Sequence, residues 1–294
     1  MDKKTRFAIV GGDKRNIALA EKLFKLGYEV RLFGFVNYER ELPMQCKRMD
    51  ETMAGADYVI GPIPFTLNGG ALNTPFHNAM VPVEEVLRAV ASEQVLLAGY
   101  IKPEAAALAA GLGVQLVDML HREELLVLNA IPTAEGAIKV AIDETDITLH
   151  SNHMLVIGYG RIGAILCRML QGMGAKVTTV VRRAASAAEA RSCGIRTIMT
   201  QEMDAQLAKA DVIFNTAPQV LLDRRNMPFV RKGTLIVDLA SAPYGVDVHD
   251  ARDFGLRVLY ANSLPGKVAP VTTAGYILDT IAHIVNERQA GQHA

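Results

Sequence analysis

Gly158, Gly160 and Gly163 stand in a GxGxxG spacing directly after the apolar run Met154-Leu155-Val156-Ile157. That spacing suits a pyrophosphate. The first glycine permits a tight turn, the second lets phosphate approach the backbone, and the third lets helix and strand pack closely. A helix starting there offers free N–H groups and the positive end of its dipole, so Arg161 and Ile162 join the three glycines as pyrophosphate contacts. Three glycines alone are weak evidence. Here Ile162, Ile165, Leu166, Met169, Leu170 and Met173 recur at helical intervals, and Gly174 closes the helix. The competing view is a glycine-rich turn that binds nothing.

The next strand decides which nucleotide fits. NAD-binding enzymes carry Asp or Glu at its end, about 20 residues past the glycines, for the ribose hydroxyls. This chain has Val180-Val181-Arg182-Arg183. A guanidinium can bind a 2′-phosphate in a forked, charge-assisted pair, whereas a carboxylate repels it. Arg182 and Arg183 therefore favour NADP(H), unless both are solvated surface residues. Asn215-Thr216-Ala217-Pro218 and Asp238-Leu239-Ala240-Ser241 end two further strands. Ligands of open parallel sheets sit outside the carboxyl ends of strands. Thr216, Ala217, Pro218, Ala240 and Ser241 are thus expected to frame the nicotinamide; Asp238 either joins them or caps the following turn.

A second glycine loop, Gly11-Gly12-Asp13-Lys14-Arg15-Asn16, does not fit GxGxxG. A helix N-terminus beside Lys14 and Arg15 suits a small carboxylate, or is an ordinary turn with a surface arginine. The long loop Pro62–Gly70 offers Thr66, Asn68 and glycine amides to a carboxylate. Phe65 and Phe76 either cover a flat ring or belong to the core.

The chain has 294 residues, half of them hydrophobic, with 31 basic and 31 acidic side chains. Two domains are the expectation. A neutral chain gives no case for nucleic acid or an anionic membrane as partner. The apolar run after Met1-Asp2-Lys3-Lys4-Thr5-Arg6 is too short for a signal-peptide core, and no stretch reads as the roughly 18 apolar residues a membrane helix needs. Cytoplasmic location is the expectation. Cys46, Cys167 and Cys193 form no CxxC pair and read as buried, inert thiols. His150 and His153 lack companions at metal-ligand spacing, so no metal is expected. His121-Arg122-Glu123-Glu124 is an acid/base pair or a solvated helix start.

Strands alternate with helices, which implies an α/β protein of two doubly wound parallel-sheet, Rossmann-like domains with an interdomain cleft. Residues 1–128 form the expected N-terminal substrate domain and 129–271 the NADP-binding Rossmann domain, with a C-terminal helix, 272–290, packing back on the first. The segment Leu125–Thr145 reads as mainly helical after Pro132.

Asn129-Ala130-Ile131-Pro132-Thr133-Ala134-Glu135-Gly136, the GxGxxG loop, Asp238-Leu239-Ala240-Ser241-Ala242-Pro243 and Leu264-Pro265-Gly266-Lys267-Val268-Ala269-Pro270 together resemble the family of the dipicolinate synthase A subunit of spore-forming bacteria, as does the GGDKRN opening. The resemblance spans essentially the whole chain. It implies oxidation of the dicarboxylate 2,3-dihydrodipicolinate to dipicolinate with NADP⁺ during sporulation, in the mother-cell cytoplasm. It also implies a hetero-oligomer with the dipicolinate synthase B subunit; a homo-oligomer is expected as well. On that footing Arg15, Thr66 and Thr133 are expected at the substrate carboxylates. Asn129 and Glu135 are expected to shape the site, and Lys267, in a Pro-Gly loop, is a candidate for proton handling. Two alternatives stand beside it. One is a D-2-hydroxyacid or alanine-dehydrogenase-like oxidoreductase; the other is a non-catalytic NADP(H)-binding subunit. The segment Tyr260–Pro270 contains no histidine, and oxidising a hydroxyl needs a general base for its proton.

Overall fold

A computed structural model describes residues 1–67 and 70–292. The chain divides into two compact units. Unit 1 is Met1–Leu126 with the chain from Ala269 onward, and unit 2 is Val127–Val268.

Unit 1 runs β1 (Arg6–Val10), α1 (Lys14–Lys25), β2 (Glu29–Phe33), α2 (Met49–Met53), β3 (Tyr58–Ile60), α3 (Val83–Ala89), β4 (Val95–Ala98), α4 (Pro103–Gly111), β5 (Gln115–Asp118) and the start of α5 (Glu123–Asp143). Its five strands pair in parallel in the order β2-β1-β3-β4-β5. The order reverses between β1 and β3, so the crevice beyond their carboxyl ends is where this topology receives ligands. Unit 2 continues with β6 (His153–Ile157), α6 (Arg161–Gly172), β7 (Lys176–Val181), α7 (Ala184–Ser192), β8 (Arg196–Met199), α8 (Asp204–Leu207), β9 (Val212–Asn215), β10 (Leu235–Asp238), α9 (Val248–Asp253), β11 (Arg257–Tyr260) and α10 (Leu264–Val268). Its six strands pair in parallel in the order β11-β10-β9-β6-β7-β8, the dinucleotide-binding order with its reversal between β6 and β9. The last helix, α11 (Pro270–Gln292), returns to unit 1.

Interior strands such as β3 and β4 are continuous apolar runs buried along their whole length. Sheets covered by helices on both faces require this. In unit 1, Ile277, Ile281, Ile284 and Val285 of α11 join Ile17, Leu19 and Leu23 of α1 in one core. In unit 2, Ala134, Ala137 and Ala141 of α5 share one core with Leu166 and Leu170 of α6.

Several local expectations need correction. α5 is continuous from Glu123, with Pro132 inside it. Proline removes one backbone donor from a helix, but buried residues on both sides of it, from Leu125 to Ala141, keep the helix intact. α5 is also long and apolar enough, by length and composition, to cross a membrane, and 44% of that stretch is buried inside the protein. The Pro-Gly loop around Lys267 is instead the short helix α10. Pro265 falls in its first turn, where a missing N–H is tolerated. Of the three cysteines only Cys167 is buried; Cys46 is half-buried and Cys193 exposed.

Candidate functional site

The dinucleotide loop grows out of β6, whose end is tied to both neighbouring strands. Gly158 donates its N–H to Val180 O at 2.9 Å, and Thr216 donates its own to Ile157 O at 2.9 Å. The Thr216 hydroxyl adds a second bond to Ile157 O at 3.0 Å. Gly158 has φ +100, and a Cβ there would stand 2.6 Å from Thr216 Oγ1. A Cβ on Gly163 would stand 2.2 Å from Gly158 O. These two glycines are required by the packing of the loop on itself. Gly160 differs: a Cβ on it would meet nothing within 4 Å. Gly160 is also the N-cap of α6, and no side chain caps that helix. The first intrahelical bond goes from Ala164 N to Gly160 O, so the N–H groups of Ile162 and Gly163 have no partner within the helix. Uncapped N–H groups at a helix N-terminus are an anion site.

Tyr159, between the first two glycines, is buried and belongs to the core of unit 2. Burial, then a hydrogen bond with Cys193, pushes its hydroxyl up to about 12. It anchors the loop, a role the spacing of glycines does not disclose. Ile162 packs against the same core, and Arg161 is exposed at the first position of α6.

Arg182 and Arg183 follow directly on β7, and both are exposed. Arg182 Nη1 donates to Gln219 Oε1 at 3.0 Å, and Arg183 Nη2 lies 3.4 Å from Ser186 Oγ. Among the described residues neither has a carboxylate partner. Other arginines of this chain are paired, for example Arg224 with Asp250 and Asp253.

The two strand-end loops beyond β9 and β10 hang from one buried carboxylate. Asp238 is 0% exposed. It accepts from Asn215 Nδ2 at 2.8 Å, Ala240 N at 3.0 Å, Gly245 N at 2.8 Å and Val246 N at 3.2 Å. Asp238 is therefore the organiser of the 239–246 loop. Ala240 is buried, with its N–H held by Asp238, while Ser241 and Pro218 are exposed and Ala217 is half-buried. Thr216 turns its hydroxyl inward to Ile157 O and not outward to a ligand.

At the β1–β3 reversal in unit 1, Gly12 N donates to Asn73 O at 2.8 Å, which holds the 61–74 loop against the glycine turn. Arg15 departs from expectation. It is 4% exposed, and its Nε and Nη2 clasp Asp13 at 2.9–3.2 Å while Nη2 also donates to Ile63 O. Asp13 caps α1 by accepting the Arg15 N–H. The forked edge of the guanidinium and the helix N-terminus are thus both occupied by the chain's own carboxylate, which repels an anionic ligand from that position. Phe65 is in the core, and Phe76 packs edge-on against Tyr38 at 5.2 Å. Asn68 lies outside the described residues.

Three buried side-chain atoms among the described residues lack a hydrogen-bond partner: Thr66 Oγ1, His77 Nδ1 and Asn129 Oδ1. Such atoms call for an explanation, and a ligand is one. Thr66 and Asn129 are sequence candidates; nothing in the pattern around His77 distinguishes it. Thr133 donates its hydroxyl back to Asn129 O at 2.7 Å, while Glu135 and Lys267 are exposed. Arg122 bonds Glu124 and Glu287, which holds both carboxylates below their ordinary range; this stretch is a bridged helix start. Among the described residues no three His, Cys, Asp or Glu side chains gather to hold a metal ion.

Known proteins share this fold. The N-terminal domain of the dipicolinate synthase A subunit matches residues 6–120. The NAD-binding domain of D-isomer specific 2-hydroxyacid dehydrogenases matches residues 102–244, which places the glycine loop within a nicotinamide-dinucleotide-binding domain. The dipicolinate synthase A subunit of Bacillus subtilis is 30% identical over 97% of this chain and 97% of its own. Its crystal structure superposes with a TM-score of 0.86 at 29% identity, covering 99% of both chains. The counterpart from Bacillus halodurans gives a TM-score of 0.86 at 27% identity, covering 96% of this chain and 98% of that one.

Proposed function

The chain belongs to the family of dipicolinate synthase A subunits, and from that premise we propose that it oxidises 2,3-dihydrodipicolinate to dipicolinate with NADP⁺. The reaction balances as dihydrodipicolinate plus NADP⁺ giving dipicolinate, NADPH and one proton. One observation carries the nucleotide choice. The loop open at Gly160 is followed, one strand on, by two arginines that no carboxylate among the described residues neutralises. The substrate is inferred from the family.

The nicotinamide, when bound, supplies the hydride acceptor. The chain's own residues bind and orient. The first-turn N–H groups of α6 hold the pyrophosphate, with Gly160 leaving room for it. Arg182 and Arg183 bind the 2′-phosphate. The Asp238-held loop, through Ser241, and the β9 loop, through Ala217 and Pro218, border the nicotinamide. In unit 1, Thr66, with its unpartnered hydroxyl oxygen, is the polar contact offered to the substrate. Catalysis rests chiefly on orientation of the ring for hydride transfer. Aromatisation itself favours the direction, so the demand on a protein base is lighter than for a hydroxyl. The setting of this reading is the cytoplasm of a sporulating mother cell, with self-association and a B subunit.

The test is turnover with NADP⁺ on dihydrodipicolinate beside a panel of 2-hydroxy acids and amino acids, with and without the B subunit. We expect NADPH formation on dihydrodipicolinate. Robust turnover on the panel, with none on dihydrodipicolinate, would overturn the reading in favour of a hydroxyacid or amino-acid dehydrogenase.

A further inference from the structure

Tyr100 stands two residues past the end of β4, on the carboxyl edge of unit 1, with a φ of 54°. For a bulky side chain this left-handed conformation is an outlier. Such residues persist only where their surroundings over-determine them, and they cluster at ligand sites. Asp118, the last residue of β5, does the holding: its carboxylate accepts the N–H of Tyr100 at 3.2 Å and of Ile101 at 2.9 Å. Glycine fills most positive-φ positions, twelve of them against four with a side chain among the described residues, so the backbone does not call for tyrosine here.

The ring is only partly covered by the protein. It is 47% exposed, and among the described residues it stacks on no other ring and its hydroxyl makes no hydrogen bond. Its backbone neighbour is the loop that carries Thr66. Gly99 O accepts the N–H of Phe65 at 2.7 Å, and Gly99 N donates to Pro62 O at 3.3 Å. An exposed, unpartnered phenol thus stands on a backbone held in place beside the loop of an unpartnered threonine hydroxyl, on the edge where a parallel sheet receives ligands.

We propose that Tyr100 contacts the substrate, its phenol O–H donating to a carboxylate oxygen of the planar pyridine-type dicarboxylate. This rests on the function proposed above. Tyr100→Phe keeps the ring and the backbone and removes only the donor. Tyr100→Gly removes the side chain at a conformation open to glycine, which relieves the strained backbone.

The experiment is calorimetric titration of the NADP⁺-saturated full chain with dipicolinate, alongside NADP⁺ titrations and thermal melts. Both variants should bind dipicolinate about tenfold more weakly or worse, the effect of losing a hydrogen bond to a charged group. Their NADP⁺ affinity should be unchanged, and Tyr100→Gly should melt no lower than the parent. A merely structural tyrosine predicts full affinity in Tyr100→Phe. Parent protein that binds dipicolinate, with Tyr100→Phe and Tyr100→Gly binding it equally well, overturns this assignment alone. Parent protein that does not bind dipicolinate overturns the functional reading and the assignment with it.

Discussion

Alanine at Gly160 and alanine at Gly163 should have opposite consequences, although the two glycines share one loop. At Gly160 the new methyl meets no protein atom within 4 Å, and φ is −92°. Alanine is a poorer N-cap than glycine by up to about 1 kcal/mol, while stiffening the unfolded chain returns about 0.4–1 kcal/mol. The unliganded protein should therefore melt within about 2 °C of the parent. The methyl does, however, stand in the space through which a pyrophosphate reaches the N–H groups of α6. Losing one hydrogen bond to a charged group costs about 1.5–3 kcal/mol, or about 10- to 150-fold in NADPH affinity. At Gly163 the methyl would lie 2.2 Å from Gly158 O. That oxygen is backbone, so no rotamer change relieves the overlap and the loop must shift. Overpacking of this kind costs about 1–3 kcal/mol, a fall of about 2–10 °C in Tm. Calorimetric melts of the free proteins and NADPH fluorescence titrations read both effects. Gly160→Ala protein that binds NADPH as tightly as the parent would refute the placement of the pyrophosphate. Gly163→Ala protein that melts like the parent would refute the close packing of the loop on itself.

Replacing Arg182 and Arg183 together with alanine should weaken NADP⁺ binding by about tenfold or more, the loss of a charge-assisted pair, and leave NAD⁺ binding nearly unchanged; equal losses for both nucleotides in parallel titrations would contradict the assignment. Asp238→Ala strands four donors that now share a buried carboxylate. At about 1–3 kcal/mol for each buried unsatisfied group, Tm should fall by about 10 °C or more, and a melt unchanged from the parent would show that the loop does not hang from this residue. Burial pushes the Cys167 thiol from about 9 up to about 12. The unfolded chain loses that proton first as pH rises, so stability is fully present below about 9 and is lost as pH climbs toward 12. Urea midpoints across that window should fall less steeply in Cys167→Ala, and identical slopes would show that the thiol does not contribute.

The dinucleotide site is the most legible part of the sequence because strand, loop and helix each carry an independent local signal there. Met154 to Ile157 is a continuous buried apolar run, the mark of a strand covered on both faces. Less was legible where long-range partners decide. Arg15 reads as a free cation until Asp13 is seen to clasp it. Thr216 reads as a ligand contact until its hydroxyl is found on Ile157 O. β8 is four residues of mixed polarity at the sheet edge, too short for a periodic signal. Pro132 reads as a helix start, because its cost is local and visible while the burial that offsets it comes from residues far along the chain. The left-handed Tyr100 has no sequence signature, since the usual sign of that conformation is glycine.

Stoichiometry tests the proposed oxidation most directly. Purified chain is mixed with NADP⁺ and dihydrodipicolinate, NADPH is followed at its reduced-nicotinamide absorbance, and dipicolinate is quantified in the same sample. We expect one NADPH for each dipicolinate, with NAD⁺ a much poorer acceptor. Dipicolinate formed at the same rate with and without NADP⁺, or NADP⁺ left unreduced while dihydrodipicolinate persists even with the B subunit present, would contradict it.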